Sequence, residues 1–241
     1  MLKGVILAGG SGTRLEPATK VTNKHLLCVW DKPMIYYPLY KLLDAGIKDI
    51  LIITGPDNAG DFIKLLGSGK SFNAHFTYRI QDDAGGIAQA VGMAEDFVGD
   101  SKFVVILGDN YFEDDIAEYA QKFEEWDIGC MLFFKECDDD EKLRQSGVAV
   151  IRDGKIIEMI EKPEHPPSNL ITTGLYFYDP KAFRTIDISE PSARGELEIE
   201  DVNNWYIKNN EVSFVTLEGF WSDMGTSESL FRTIKFIREG K

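Results

Sequence analysis

Hydrophobic positions in the first half of the chain form short dense runs, separated by longer stretches of mixed polarity. The runs "KGVIL" (3–7), "DILIIT" (49–54), "HFTYRI" (75–80) and "KFVVIL" (102–107) are rich in Val, Ile and Phe and predict strands. The stretches between them, 34–45, 58–66, 87–97 and 114–126, carry helical patterning. Pro33 fits the first turn of the first of these helices, and Gly46 its C-terminal end. Strands alternating with helices at this spacing predict right-handed βαβ units and a parallel sheet covered on both faces. Beyond residue 128 the pattern changes. "IGCMLFFKEC", "GVAVIRDGKIIEMIEK" and "TTGLYFYD" are strand runs, with "RDGK" as a hairpin turn. Helical patterns return at 198–209 and 226–238, around one more strand, "VSFVTL". No Pro/Ser-rich linker, repeat or low-complexity tract intervenes. The expectation is one α/β domain over 1–241 whose second half inserts mixed strands, with ligands at the carboxyl ends of the strands.

Composition narrows the partners. A 241-residue chain with 44% hydrophobic and 12% aromatic residues is long enough, and apolar enough, to build a large core. The apolar runs are strand-sized, and the N-terminus shows no signal-peptide pattern, so neither a membrane span nor export is expected. Cys28, Cys130 and Cys137 are widely spaced and form no CxxC pair, which suits reduced thiols in the cytoplasm. A net charge of −14 argues against nucleic acid and anionic membranes as partners. It leaves room for a small phosphorylated ligand, with a divalent cation between carboxylates and phosphates.

Two glycine-containing segments invite familiar readings and fail them. In "GGSGTRL" the third glycine of a dinucleotide fingerprint should fall where Leu15 stands, and the second strand ends "IITGP" without an acidic residue for a ribose. In "LLGSGKSF" (65–72) the first P-loop glycine is replaced by Lys64, and the segment follows a helix, so a helix-end turn is expected.

The opening loop still suits a polyphosphate. Gly9, Gly10 and Gly12 let backbone N–H groups approach closely, Arg14 offers a planar fork for phosphate oxygens, and Lys24 adds a second positive charge. An ordinary glycine turn with surface cations explains the same residues. Asp109 in "VVILGDN" lies just past a strand, where a carboxylate is a natural divalent-metal ligand, and Asn110 can hydrogen-bond a sugar hydroxyl; a turn cap is the alternative. Asp223 in "GFWSDMGT" has a similar post-strand position, so the two aspartates could share one Mg²⁺ with phosphate oxygens. Glu161 and Lys162 in "MIEKPEHPP" end a strand before a Pro-rich turn.

With "GVILAGGSGTRLEPATKVTNKHLL", "DKPMIYYPL", "GGIAQA", "LGDN", "EKP", "TGLYFYD", "SARGELEIEDVN" and "WSDMGT", the chain resembles the sugar-1-phosphate nucleotidylyltransferases from residue 3 to about 230. The resemblance implies a Rossmann-like nucleotide-diphospho-sugar transferase fold, a mixed but mostly parallel central sheet flanked by helices. It implies a nucleotide-binding part over about 1–127 and a sugar-phosphate part over about 128–225. It further implies Mg²⁺-dependent attack of a sugar 1-phosphate on the α-phosphorus of a nucleoside triphosphate, expelling pyrophosphate. The substrates implied are dTTP, with UTP the alternative, and glucose 1-phosphate, with another hexose 1-phosphate the alternative; the product is a dTDP-sugar. By motif position, Leu7, Ala8, Gly9, Gly10, Gly12, Thr13, Arg14, Lys24, Gln81 and Gly86 would bind the nucleotide. Asn110, Gly147, Glu161, Lys162, Thr172 and Arg194 would bind the sugar phosphate. Asp109 and Asp223 would hold the metal, and Arg14, Lys24, Lys162 and Asp109 would carry catalysis. A homodimer or homotetramer, and a short form without the C-terminal helical segment of longer relatives, are also implied. Four departures from the family pattern stand out: Cys28 for Pro, Ser146 for an aromatic residue, Thr172 for Val, and "DDAGG" in the base loop. Ser146 and Thr172 make the expected sugar pocket more polar.

Overall fold

The computed structural model describes residues 1–240. In chain order its elements begin β1 (Lys3–Ala8), β2 (Cys28–Val29), β3 (Lys32–Pro33), α1 (Tyr36–Asp44), β4 (Asp49–Thr54), α2 (Ala59–Leu66) and β5 (His75–Ile80). There follow α3 (Ile87–Gly92), α4 (Glu95–Val98), β6 (Phe103–Leu107), β7 (Asn110–Phe112), α5 (Ala117–Glu125), β8 (Cys130–Glu136) and α6 (Asp140–Leu143). The remainder is β9 (Gly147–Arg152), β10 (Lys155–Glu161), β11 (Leu170–Tyr178), α7 (Lys181–Asp187), α8 (Ile199–Lys208), β12 (Val212–Thr216), β13 (Trp221–Asp223) and α9 (Ser227–Glu239). The fold is α/β, with a mixed, mostly parallel central sheet and flanking helices. The chain forms two compact units: Met1–Ala84 with Ile106–Gln121 and the segment from Gly219 onward, and Gly85–Val105 with Lys122–Glu218.

In the first unit β1 and β4 pair in parallel from Gly4↔Ile50 to Ala8↔Thr54, and β4 pairs with β5 from Asp49↔His75 to Thr54↔Ile80. Ile50, Leu51, Ile52 and Ile53 are all fully buried, the unbroken apolar run of a parallel strand covered on both faces. α1 buries Pro38, Leu39 and Leu42, and α2 buries Phe62 and Leu66. The proline in the first turn of α1 is Pro38 rather than Pro33. Pro33 pairs with Cys28 in the short β2–β3 ribbon, which delays the helix to Tyr36. α9 opens with a reciprocal Thr226–Ser229 cap and seats Ile237 against Val29, Met34 and Met224. The "GSGKS" segment is a turn after α2, with Gly67 at φ 60° and a 3₁₀ turn over Lys70–Phe72, as expected of a helix end.

In the second unit β11 runs antiparallel to β8, and β12 joins β8 in parallel from Val212↔Cys130 to Thr216↔Phe134. β9 and β10 form the expected hairpin. Asp153 (φ 51°) and Gly154 (φ 73°) are both left-handed, as a two-residue turn of the primed type requires. α8 lies against β10, where the Asn204 amide accepts from the Met159 N–H (2.7 Å) and donates to the Met159 carbonyl (2.8 Å). The helix expected over 87–97 is two helices, α3 and α4. The Ala94 N–H turns to the Val91 carbonyl (2.9 Å), tightening the chain between them.

Candidate active site

The functional candidates of the first unit gather where β1 ends. Leu7 and Ala8 are its last residues, and their carbonyls are already used: Leu7 accepts from the Gly108 N–H (2.8 Å) and Ala8 from the Asn23 amide (3.4 Å). Gly12 is in the left-handed region (φ 72°), and its carbonyl accepts from the Leu15 N–H (2.9 Å) and the Thr19 hydroxyl (2.8 Å). These bonds fold Thr13–Leu15 into a 3₁₀ turn that leaves Thr13 and Arg14 exposed. A β-carbon at Gly10 would stand 3.1 Å from Lys24 Cε, and one at Gly12 would stand 2.8 Å from Lys24 Cβ. The glycines therefore clear a path along which the Lys24 stem crosses the loop. Gln81 is brought to the same place, its Oε1 2.7 Å from the β-carbon Gly9 lacks.

Lys24 ends on Asp109, with Nζ 2.5 Å from Oδ2. Asp109 is only 8% exposed, and its other oxygen accepts from the Asn110 amide (2.9 Å). Burial alone would raise the Asp109 carboxyl. The Lys24 charge and the His25 ring beside it, with the bonds from Lys24 and Asn110, outweigh burial and hold it well below the usual carboxylate range. Asn110 is itself fixed by the Trp221 indole N–H (2.7 Å), across the β7–β13 pairing that sets Asn110 opposite Asp223. The Met224 N–H to the Asp109 carbonyl (2.8 Å) closes the same ribbon. Arg14 reaches it too: a β-carbon at Gly225 would lie 3.0 Å from its Nη2 and 3.9 Å from Asp223 Oδ2. Arg14, Lys24, Gln81, Asp109 and Asp223 are thus brought together in one unit.

His25, buried at this site, is held neutral: burial first and the Lys24 charge second lower it to about 3. Asn23 Oδ1 accepts from both the His25 backbone N–H (2.9 Å) and its ring Nδ1 (2.6 Å), which places the ring hydrogen on Nδ1. His25, Asn23 and Trp221 were not among the sequence candidates. Trp221 acts on Asn110 across 111 positions and Asn23 on Ala8 across 15, which no local motif marks, whereas the Asn23–His25 cap is local, in "TNKHLL".

The second unit gathers Gly147, Glu161, Lys162, Thr172 and Arg194. Lys162 follows β10 in the left-handed region (φ 46°), its N–H on the Ser146 carbonyl (3.0 Å) and its ammonium 3.2 Å from Glu161. Thr172 donates to the Gly147 carbonyl (3.2 Å) across strands. The Arg194 guanidinium lies 3.0 Å from Glu161, 2.6 Å from Glu198 and 3.5 Å from Glu196. Glu161, Glu198 and Glu200 offer carboxylate oxygens all within 4.8 Å of one another. Gly86 also belongs here: at φ 99°, with a β-carbon that would strike the Leu197 carbonyl, it tolerates no side chain. Gly86, read with the nucleotide residues, is in the second unit, and Asn110, read with the sugar residues, is in the first, its amide engaged by Asp109 and Trp221.

A glycine loop crossed by a lysine, with an arginine beside it, one carboxylate just past β6 and a second at the end of β13, gives this α/β fold a cluster of cations and hard oxygen donors. The chain belongs to the nucleotidyl transferase family, which matches residues 3–240, and is a nucleotidyltransferase. It is 41% identical over 247 residues to glucose-1-phosphate thymidylyltransferase of Neisseria meningitidis, covering 98% of this chain and 83% of that one. Its likeness to the enzyme of the same name in Xanthomonas campestris is 44% over 239 residues, covering 98% and 80%. A solved structure from Bacillus anthracis, described as a glucose-1-phosphate thymidylyltransferase, superposes with a TM-score of 0.94 at 51% identity, covering 99% and 96%. No helix among the described residues is long and apolar enough to cross a membrane.

Proposed function

We propose that this protein transfers dTMP from dTTP to α-D-glucose 1-phosphate, giving dTDP-glucose and pyrophosphate. The observation that carries the reading is the Lys24–Asp109 pair, held at 2.5 Å across the glycine loop beside Arg14, Gln81 and Asp223. The relatives named above as glucose-1-phosphate thymidylyltransferases, matched over nearly all of this chain, support it.

The nucleophile in such a reaction is a phosphate oxygen already ionised at neutral pH, so no general base is required. Catalysis reduces to holding the phosphates in line and neutralising charge as pyrophosphate departs. A His25 ring held neutral and capped on Nδ1 agrees with this chemistry. We assign Leu7, Ala8, Gly9, Gly10, Gly12, Thr13 and Gln81 to the nucleotide, Arg14 to the leaving pyrophosphate, and Lys24 to the triphosphate. Gly147, Glu161, Lys162, Thr172 and Arg194 are assigned to the sugar phosphate, and Gly86 to shaping the loop near the base. Asn110 is a positioning residue that aims Asp109.

A divalent metal belongs to the chemistry of this family. The donor set fits one: Asp109 is kept ionised and Asp223 sits on the neighbouring strand, both presenting hard oxygens. We assign these two residues to Mg²⁺, which would supply charge neutralisation for phosphate oxygens. A nucleotide part over 1–127, a sugar-phosphate part over 128–225, a homodimer or homotetramer and a cytoplasmic location complete the reading.

The test is pyrophosphate release with Mg²⁺, crossing dTTP, UTP and the other triphosphates against a panel of sugar 1-phosphates. Turnover highest with dTTP is expected. No turnover with any pair refutes the enzyme reading, and turnover confined to another triphosphate refutes the base assignment.

A further inference from the structure

Glu200 is the residue of the second unit that the assigned reaction leaves unexplained. It is 5% exposed, on the first turn of α8, and its carboxyl fills the space beside Gly147 where a side chain would otherwise stand. The Thr172 hydroxyl lies at the same spot, 2.7 Å from the β-carbon Gly147 lacks. Glu200 therefore stands among residues assigned to the sugar, its Oε1 beside Gly147 and the Thr172 hydroxyl.

Its environment is short of positive charge. Arg194 pairs with Glu161, Glu196 and Glu198, and Lys162 with Glu161. Among the described residues no cation pairs with Glu200, and its titratable neighbours include the carboxyls of Glu161, Glu198 and Asp201 and the Tyr176 hydroxyl. A buried carboxylate without a cation costs free energy unless something else supplies one. Glu161 stands within 4.8 Å, which adds repulsion if both ionise.

Resting on the nucleotidyltransferase reading above, we propose that Glu200 is a specificity-determining residue that lets this pocket take amino-substituted hexose 1-phosphates, by pairing with the sugar's amino group. An ammonium brings a positive charge, and N–H donors with it, to a buried carboxyl that no cation pairs with. The proton balance closes either way: a hexose ammonium meets a carboxylate, or a free amine meets a carboxylic acid, and the same N–H and oxygen contact results. Burial first and Glu161 second raise the Glu200 carboxyl to about 8, so it can meet the amine in its protonated form. A bare divalent cation is a poorer occupant, because Arg194 already holds Glu161 and Glu198.

The experiment measures kcat/KM for pyrophosphate release with dTTP and Mg²⁺, comparing glucose 1-phosphate with its 2-amino, 3-amino and 4-amino counterparts, for the wild type and for Glu200→Gln. At least one amino sugar is expected to match or exceed glucose 1-phosphate in the wild type, and Glu200→Gln is expected to lower that ratio about tenfold or more. The wild-type panel stands alone if the variant does not fold. All three amino sugars falling more than about tenfold below glucose 1-phosphate overturns the proposal, as does an unchanged ratio in Glu200→Gln. Turnover of glucose 1-phosphate in the same panel keeps the enzyme reading standing when the proposal fails. Silence with every sugar overturns both.

Discussion

Asp109 and Lys24 show how a buried ion pair can be held ready for use. Each side chain is little exposed, and the carboxylate is satisfied on one oxygen by Lys24 and on the other by Asn110. Removing one partner leaves the other charge buried and uncompensated, which costs about 3–5 kcal/mol where it has been measured. Lys24→Met should therefore lower unfolding stability by about that amount in denaturant titration, and Lys24→Met/Asp109→Asn should recover most of it. A simple surface pair would show a loss below about 1 kcal/mol and no recovery. Asp109→Asn alone keeps the side-chain shape but loses the ionised ligand. Its kcat should fall about 100-fold or more while circular dichroism stays native, and near-native turnover would remove Asp109 from the metal site. At this scale the sequence was informative about residue type: Arg14, Lys24, Gln81, Asp109 and Asp223 all stand in one unit. It was silent on what the glycines do locally, because clearance for the Lys24 stem depends on a residue twelve positions beyond Gly12.

Elements were read best where pattern alone decides them. β4 and β5 have the bounds their runs of hydrophobic positions predict, and the "RDGK" hairpin follows from turn chemistry. The start of α1 was misplaced because Pro33 pairs with Cys28, a contact no helical periodicity reports. α8 carries a subtler signal. Its buried positions are Ile199, Glu200, Val202, Asn203, Tyr206 and Ile207, so Glu200 and Asn203 are polar residues on the apolar stripe. That irregularity was visible in "EIEDVNNWYI", but only the structure shows what faces it. One consequence is measurable without substrate. The Glu200 carboxyl is raised from 4.5 to about 8 in the folded state, by burial first and Glu161 second, so between those pH values the native state binds a proton that the unfolded chain has released. Stability from this group is complete below the unfolded value and is lost as pH climbs through the folded one. Urea unfolding from pH 5 to 9 should show wild-type stability declining relative to Glu200→Gln across that window. Parallel profiles would mean that Glu200 is ionised or solvated.

For the whole molecule the governing fact is charge. A chain of net −14 that takes a triphosphate and a sugar phosphate must gather its few cations where the phosphates go, and must import positive charge for the rest. Arg14 and Lys24 in one unit, and Lys162 and Arg194 in the other, each stand among carboxylates, and are the cations we assign to the phosphates. The hydrophobic pattern could foretell the α/β class, because strands and helices record burial locally. Two compact units, each assembled from separated segments, record contacts that only the folded chain brings about. Charge also governs how ligands should act on stability. dTTP with Mg²⁺ should stabilise the native state by about 2.7 kcal/mol at a concentration 100 times its Kd, which for a chain of this size is a melting shift of about 5–10 °C. With a chelator in place of Mg²⁺ the shift should shrink to a small fraction, because the triphosphate then meets Asp109 and Asp223 without an intervening cation. Asp223→Asn should mimic the chelator, losing the metal-dependent part of the shift while its melting temperature without ligand stays close to wild type. An equal shift with and without metal would mean that the loop and its cations bind the triphosphate unaided, and would reassign both aspartates to structure.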